Sequence, residues 1–315
     1  MAGYSSKMAN TTYAIVTAAD RRYFGSVVSL LESLLRSNNY FDCKIFDLGL
    51  TKWQREWLKA SLRSNQQLLP LPSEPNLFPG WDIAKTRDSF AWKPVVIESI
   101  RHSYSGVFWV DAGVLVTGNL EDLIESVISK GALVYKNYDH LNESWTTKSC
   151  QDVMEISGKE LASSQVMGNF LAFSFTSKRG SKLFNDWKYW SSNPRAIRGD
   201  AKHHRHDQTI LSILVARHEI ELTDYSDSTA IARFKNDYQE ALKSRIVFLS
   251  HRRWLLLTPK KLNKDKKMLI SLFRILTLPD VFRLLKFRTK WRLRWSPLGV
   301  SVATFIKKAT LQFSD

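Results

Sequence analysis

The segment around Asp111 has the composition of a strand end that presents a carboxylate to a ligand. An apolar run from Val107 to Val110 leads to Asp111, and a second apolar run follows Gly113. In α/β domains ligands bind at the carboxyl ends of the strands, so Asp111 is placed to hold a metal ion or a phosphorylated substrate. A hard cation such as Mn²⁺ or Mg²⁺ takes oxygen ligands and can bridge to a diphosphate. Alternatively, Asp111 only caps the turn that follows the strand.

Two later segments could complete a site of this kind. Asp207 and Gln208 open an apolar helix, where the positive helix end favours a carboxylate and both side chains could hydrogen-bond sugar hydroxyls. His251 and Arg252 follow the last predicted strand, and an imidazole and a guanidinium suit a metal ion and a diphosphate. Each pair also has a structural interpretation, the first as a helix N-cap and the second as a basic linker.

Three further residues could reach the same cleft. Lys93 stands at the start of the helix that precedes the Asp111 strand. Gly168 would allow a ligand to approach a strand closely, and Asn169 beside it offers a bidentate amide to a sugar. The structural alternatives are a solvated lysine and a β-bulge.

The pattern of apolar residues predicts the scaffold that brings these segments together. Two strand-like runs, Thr12–Ala18 and Cys43–Gly49, are each followed by a helix-like run, which is typical of an α/β sheet with helical crossovers. Four prolines between Pro70 and Pro79 predict a loop. Further helices are predicted at 91–100, 181–190 and 208–216, and further strands at 107–116, 133–135, 170–175 and 245–249.

The charge of the chain is concentrated at its end. The net charge is +16, and the residues after His251 contain sixteen Lys and Arg against three Asp, which gives +13. We therefore predict that residues 254–315 form a basic amphipathic helical tail that binds an anionic membrane surface, and that residues 1–11 are disordered. The sequence has no apolar run long enough to span a membrane and no recognisable signal peptide. We expect a cytoplasmic protein that is peripheral on the inner face of the membrane.

Taken in order from about Tyr13 to His251, these segments resemble the GT-A glycosyltransferases, and most closely glycosyltransferase family 8. The resemblance implies that residues 12–253 form a GT-A domain, in which a Rossmann-like mixed sheet flanked by helices binds a UDP-sugar. It implies that Asp111 and His251 bind a metal ion and that Asp207 and Gln208 are the catalytic pair beside the transferred sugar. The donor-binding residues implied in this way are Thr17, Ala18, Asp20, Lys93, Asp111, Ala112, Gly113, Gly168, Asn169 and Arg252.

The sequence departs from the family pattern at Gly113, where the Asp-x-Asp motif has its second aspartate. A metal ion would lose a carboxylate ligand there. We therefore predict weak or absent dependence on Mn²⁺, with Lys93, Arg252 and Arg253 neutralising the diphosphate instead.

The predicted reaction moves a sugar from a nucleotide diphosphate to a hydroxyl of a saccharide or lipid-linked acceptor, in polysaccharide or glycolipid synthesis. The resemblance implies retention at the anomeric carbon. A nucleotidyltransferase is one alternative, but it would show a glycine-rich loop after the first strand, which the turn after Thr17 lacks. Nucleic-acid binding is suggested by charge alone, without a segment that would read bases. An inactive GT-A binding module is compatible with Gly113 and would bind a donor without turnover.

Overall fold

The structure is a computed structural model of the chain, and it describes residues 12–72, 89–200, 202–224, 229–231 and 248–250. By its internal contacts the chain divides into two units, Met1–Leu255 and Leu256–Asp315. The predicted disordered segment 1–11, the predicted tail 254–315 and the candidate residues His251 and Arg252 lie outside the described residues. Most of the loop predicted from Pro70 to Pro79 does so as well.

The centre of the first unit is a six-stranded mixed sheet. Its strands are β1 (Tyr13–Ala19), β2 (Asp42–Asp47), β3 (Gln66–Pro70), β4 (Gly106–Val110), β6 (Ala132–Leu133) and β9 (Phe170–Ser174). Their order is β3-β2-β1-β4-β9-β6. The first four strands in this order run parallel, and β9 is antiparallel to both of its neighbours. Strands β1 and β4 are buried along their whole length, as expected for strands that are covered on both faces.

Helices cover this sheet and connect its parallel strands. They are α1 (Phe24–Arg36), α2 (Lys52–Ser61), α3 (Trp92–Glu98), α4 (Ile124–Lys130), α5 (Lys148–Met154), α6 (Gly158–Leu161), α7 (Lys178–Ser191), α8 (Pro194–Ile197) and α9 (Asp207–Arg217). The face of α1 that carries Val27, Leu30 and Leu34 is buried, as the helical spacing predicts. Thr51 is the N-cap of α2, because its side chain and that of Gln54 form a reciprocal capping box.

The predicted strand 107–116 is divided into two by the turn at Asp111. Strand β4 ends at Val110, and the chain resumes as β5 (Val114–Val116), which leaves the main sheet and pairs antiparallel with β11 (Phe248–Ser250). The remaining strands are β7 (Lys136–Leu141), β8 (Ser164–Val166) and β10 (Thr229–Ile231). Asp111 therefore stands where the chain passes from one sheet to another, at the carboxyl end of a central strand.

Strand β3 is the one element of the main sheet that the sequence pattern does not predict. It pairs in parallel with β2, but it alternates polar and apolar residues weakly and ends at Pro70, a residue that predicts a loop. Its position at the edge of the sheet explains this composition, because an edge strand needs fewer apolar side chains and tolerates proline.

The core lies on both faces of the main sheet as two clusters of buried apolar residues. Trp109 and Trp187 belong to the first cluster and are fully buried, so both pack rather than bind a ligand directly. None of the described helices combines the length and the apolar composition needed to cross a membrane.

Candidate active site

A buried lysine, Lys93, lies at the centre of the predicted site. It is in the first turn of α3 and is only 4% exposed. Its Nζ donates a hydrogen bond to the carbonyl oxygen of Gly168 at 2.8 Å. The same nitrogen lies 3.2 Å from Oδ1 of Asp111 and 3.7 Å from Oδ2 of Asp207. Segments that are far apart in the sequence therefore meet at one ammonium group.

The surroundings of Lys93 keep its ammonium group charged. Burial alone would lower the pKa of Lys93, but the carboxylates of Asp111 and Asp207 outweigh burial and raise this pKa above its usual value. The ring centroids of Trp109 and Phe90 each lie 5.3 Å from Nζ, at the distance of a cation–π contact. A neutral replacement at this position would leave two carboxylates without their shared counter-ion.

Asp111 is held in place by its neighbours on the two central strands. The indole Nε1 of Trp109, two residues earlier and on the same side of β4, donates a 2.8 Å hydrogen bond to Oδ1 of Asp111. The backbone N–H of Asp111 donates to the carbonyl oxygen of Asn169, and its own carbonyl accepts from Val114 to close the turn. Because the backbone closes the turn, the carboxylate, which is 38% exposed, is available to a ligand.

Asp207 and Gln208 occupy the first two positions of α9. Asp207 is 2% exposed, and its Oδ2 has no hydrogen-bond partner within the described part of the chain. The Nε2 of Gln208 donates a 2.8 Å hydrogen bond to the carbonyl oxygen of Val166 at the end of β8. The residue before the helix is His206, and its side chain makes no capping bond, so the N-cap interpretation does not explain this pair.

Gly168 and Asn169 form the connection from β8 to β9 and face the same helix end. A Cβ added to Gly168 would lie 3.3 Å from Oε1 of Gln208, closer than most side chains tolerate. Oδ1 of Asn169, like Oδ2 of Asp207, is a buried oxygen without a hydrogen-bond partner among the described residues. Because buried acceptors are normally bonded, these two oxygens suit a ligand that brings hydroxyl donors.

The first βα turn lies at the same edge of the sheet. Val16 pairs with Trp109 in parallel register, so the ends of β1 and β4 are adjacent. Asp20 uses both carboxylate oxygens within its own turn, because Oδ1 accepts from the backbone N–H of Arg22 at 2.7 Å and Oδ2 from its Nε at 2.8 Å. Thr17 and Ala18 are buried in β1. Thr17, Ala18 and Asp20 are the predicted donor-binding residues of this turn, and the carboxylate of Asp20 stabilises the turn itself.

Of the two metal ligands that the family resemblance implies, Asp111 lies within the described residues and His251 does not. Only Asp111 brings a carboxylate to the turn after β4, and its Oδ1 already bonds to Lys93 and Trp109. No group of three His, Cys, Asp or Glu side chains suited to a metal ion occurs in the described ranges. The predicted ligand His251 lies outside them. This set does not match a two-carboxylate Mn²⁺ or Mg²⁺ site.

Asp207 should make the stability of the protein depend on pH. Burial raises the pKa of Asp207 to about 7, and Asp111 adds to this effect while Lys93 opposes it. The unfolded carboxyl has its ordinary pKa of about 3.9. Between about pH 4 and pH 7 the folded state therefore binds more protons than the unfolded state. The stability that the protonated Asp207 contributes is lost as the pH rises through that window.

We expect Asp207→Asn, which cannot lose a proton, to remove this dependence. Its Tm should fall less than that of the wild type between pH 4 and pH 7. Thermal denaturation across this range checks the prediction, with Asp152→Asn as the control, because Asp152 is 48% exposed on α5 and pairs with Lys148. Parallel pH profiles for the wild type and Asp207→Asn would contradict it.

Two aromatic residues of the site were not predicted from the sequence. Trp109 is a buried core residue, and its indole N–H also orients Asp111. The two-residue spacing on one strand face is the pattern that could have indicated this contact. Phe90 gave no indication, because its position over Lys93 depends on the backbone before α3.

Comparisons with known proteins support the fold that these elements form. No protein-family model matches the chain, and no curated protein matches it in sequence. Its structure is similar to that of the WbbM bifunctional glycosyltransferase without ligands, with a TM-score of 0.55 and 11% identity over 82% of this chain. The match spans 52% of the WbbM chain.

Two further solved structures are similar to lesser degrees. One is the galactosyltransferase LgtC in complex with donor and acceptor sugar analogues, with a TM-score of 0.43 and 13% identity over 76% of this chain and 87% of LgtC. The other is mouse xyloside xylosyltransferase 1, with a TM-score of 0.48 and 13% identity over 77% of this chain and 97% of that one. The match to WbbM, together with the mixed sheet and the switch at Asp111, assigns the described residues to the GT-A fold.

Proposed function

We propose that this protein is a glycosyltransferase that moves a sugar from a nucleotide diphosphate, in our view a UDP-sugar, to an acceptor hydroxyl. The observation that carries the proposal is the cluster in which Lys93 joins Asp111 and Asp207 at the carboxyl edge of the sheet, with Gln208 beside it. Among the described residues, two acceptor oxygens near this cluster, Oδ2 of Asp207 and Oδ1 of Asn169, have no hydrogen-bond donor. A sugar carries several hydroxyl donors and would satisfy them.

The residues of the site would have different roles in such a transfer. Asp111 is the exposed carboxylate at the strand end and would contact the nucleotide portion of the donor. Asp207 and Asn169 would accept hydrogen bonds from the transferred sugar, and Lys93 would hold the carboxylates in position. The Oε1 of Gln208 would lie near the anomeric carbon, where positive charge develops as the diphosphate leaves. We propose retention of configuration, as the family 8 resemblance implies.

A thermal-shift screen tests the proposal. A ligand that binds only the native state raises the Tm, so UDP and UDP-sugars should stabilise the wild-type protein and should stabilise Asp111→Ala far less. A nucleotidyltransferase would instead respond to nucleoside triphosphates. An inactive binding module would show the shift with UDP-sugars but would release no UDP.

We further propose that the reaction depends little on a divalent cation. A Cβ added to Gly113 meets no atom within 4 Å, and Gly113 is not among the glycines with positive φ. Gly113→Asp should therefore fold normally and bring a second carboxylate to the turn. We expect the wild type to keep roughly half or more of its activity in excess EDTA, and Gly113→Asp to bind Mn²⁺ more tightly, because carboxylate oxygens are the ligands this ion prefers.

Calorimetric titration with Mn²⁺ and activity in EDTA measure these effects. Gly158→Asp is the matched control, because a Cβ at Gly158 also meets no atom within 4 Å and this residue lies at the start of α6. Complete loss of wild-type activity in EDTA, reversed by Mn²⁺, would contradict the proposal. Equal Mn²⁺ affinity of the two aspartate variants would show that Gly113 is not the missing ligand position.

The acceptor and the location of the protein are also part of the proposal. We propose a saccharide or lipid-linked acceptor, and a cytoplasmic enzyme held on anionic membrane through residues 254–315. The support is the net charge of +13 after His251. Each basic residue near an anionic surface contributes on the order of 1 kcal/mol, so the tail could hold the enzyme reversibly. The full chain should sediment with anionic vesicles and be released by salt. A chain ending at Trp254 should not sediment with the vesicles. Equal sedimentation of both chains would contradict membrane binding through residues 254–315.

A further inference from the structure

Two residues with a strained backbone lie beside the candidate active site. In the described part of the chain, five residues other than glycine have a positive φ. Asn38, Glu155 and Glu219 each lie at or just after the C-terminal end of a helix, where this conformation is common. Phe90, with φ 56°, directly follows the 3₁₀ residue Ser89, and His206, with φ 53°, precedes α9. Both stand close before the two partners of the buried ion pair, Lys93 and Asp207.

Phe90 is the more unusual of the two, because a bulky side chain disfavours the left-handed region strongly. Its strain is accompanied by exposure, since Phe90 is 43% exposed although it is a large apolar residue. Its ring centroid lies 5.3 Å from Nζ of Lys93 and 6.3 Å from that of Trp92. The ring therefore contacts the ammonium group of the site and still presents apolar surface to solvent.

We propose that the exposed surface of Phe90 is a binding platform for a pyranose ring of the donor or of the acceptor. This inference rests on the proposed function. The C–H faces of a sugar ring are apolar and pack on aromatic rings, and a ligand pocket combines such surfaces with a few polar groups. Here the polar groups are the carboxylates of Asp111 and Asp207. Both pair with Lys93, whose ammonium group contacts the ring of Phe90. Glycine would adopt this positive φ without strain. We therefore infer that phenylalanine is present for the binding surface of its ring, which glycine lacks.

The substitution Phe90→Gly separates a binding role from a structural one. It removes the ring and relieves the positive φ, so the Tm should stay within about 3 °C of the wild-type value or rise. Phe90→Tyr keeps an aromatic surface and should behave as the wild type. Glu155→Gly is the matched control, because it relieves a similar φ of 50° at an exposed position at the end of α5. It should leave binding and turnover unchanged.

Two arms of the experiment distinguish the two sugars. In the donor arm, calorimetry compares UDP with UDP-glucose and UDP-galactose, and Phe90→Gly should weaken the UDP-sugars alone, by about three- to tenfold. In the acceptor arm, saturation-transfer NMR with methyl β-D-glucoside and methyl β-D-galactoside is recorded in the presence of UDP, and Phe90→Gly should lose the signal. A loss in either arm supports the proposal and identifies the sugar concerned.

Three outcomes would overturn the proposal. Phe90→Gly could match the wild type in both arms, or Phe90→Tyr could be as impaired as Phe90→Gly. Phe90→Gly could also lose UDP and UDP-sugars equally with a fall in Tm that Glu155→Gly does not show, which would indicate a structural role. If the wild type binds no nucleotide sugar, the proposed function itself fails, whereas wild-type turnover with an unaffected Phe90→Gly removes only the role of Phe90.

Discussion

Replacing Lys93 by methionine is expected to reduce kcat/KM for a UDP-sugar by about a thousandfold or more. The methionine would leave Asp111 and Asp207 close together without the ammonium group that now lies 3.2 and 3.7 Å from them. Removing one partner from a buried ion pair typically costs about 3–5 kcal/mol, because the remaining charge is buried without compensation. The carbonyl of Gly168 would also lose its donor. Steady-state kinetics and thermal denaturation measure the two effects.

Two variants make this expectation specific. Lys188→Met removes an ion pair with Glu98 on the partly exposed surface and should change both quantities little. Lys93→Met combined with Asp207→Asn removes both partners, so it should recover much of the lost Tm but none of the activity. Wild-type kinetics in Lys93→Met would show that the cluster is not the active site.

Replacing Gln208 by alanine is expected to lower kcat by roughly a hundredfold while donor affinity changes about threefold or less. The amide of Gln208 is fixed because its Nε2 donates to the carbonyl of Val166, which directs Oε1 toward Gly168. An oxygen held there would act on charge that develops only in the transition state. Loss of such a group lowers kcat with little change in ground-state binding.

Single-turnover kinetics and calorimetry separate these two quantities. Gln67→Ala, on the edge strand β3, is a suitable control because its exposed side chain accepts a hydrogen bond from Lys44, away from the candidate site. An unchanged kcat in Gln208→Ala would remove Gln208 from the catalytic pair. A loss confined to donor affinity would make it a binding residue instead.

The candidate site was predictable where a residue marks the end of a regular element. Asp111 ends an apolar strand and Asp207 begins an apolar helix, so each could be placed at an edge of the fold from local pattern alone. Lys93 was predictable as a helix-start residue in the same cleft. Local pattern could not show that the two carboxylates pair with the ammonium group of Lys93. That contact depends on the packing of α3 and α9 across the sheet.

Other features depended on tertiary contacts that sequence periodicity does not contain. His204 lies in a polar, basic loop, yet it is fully buried, and burial lowers its pKa to about 4. Gly199 makes this burial possible, because a Cβ there would lie 2.6 Å from the Cβ of His204. Such steric complementarity becomes visible only once the chain is folded.

The most direct test of the central claim is the release of UDP from UDP-glucose and UDP-galactose by the full chain, followed together with calorimetric binding of UDP. The proposed function predicts that UDP binds at millimolar concentration or below and that at least one UDP-sugar is turned over, with Asp111→Ala impaired in both measurements. Absence of nucleotide binding at millimolar concentration, or binding without any release of UDP in the presence of saccharide and lipid-linked acceptors, would contradict it.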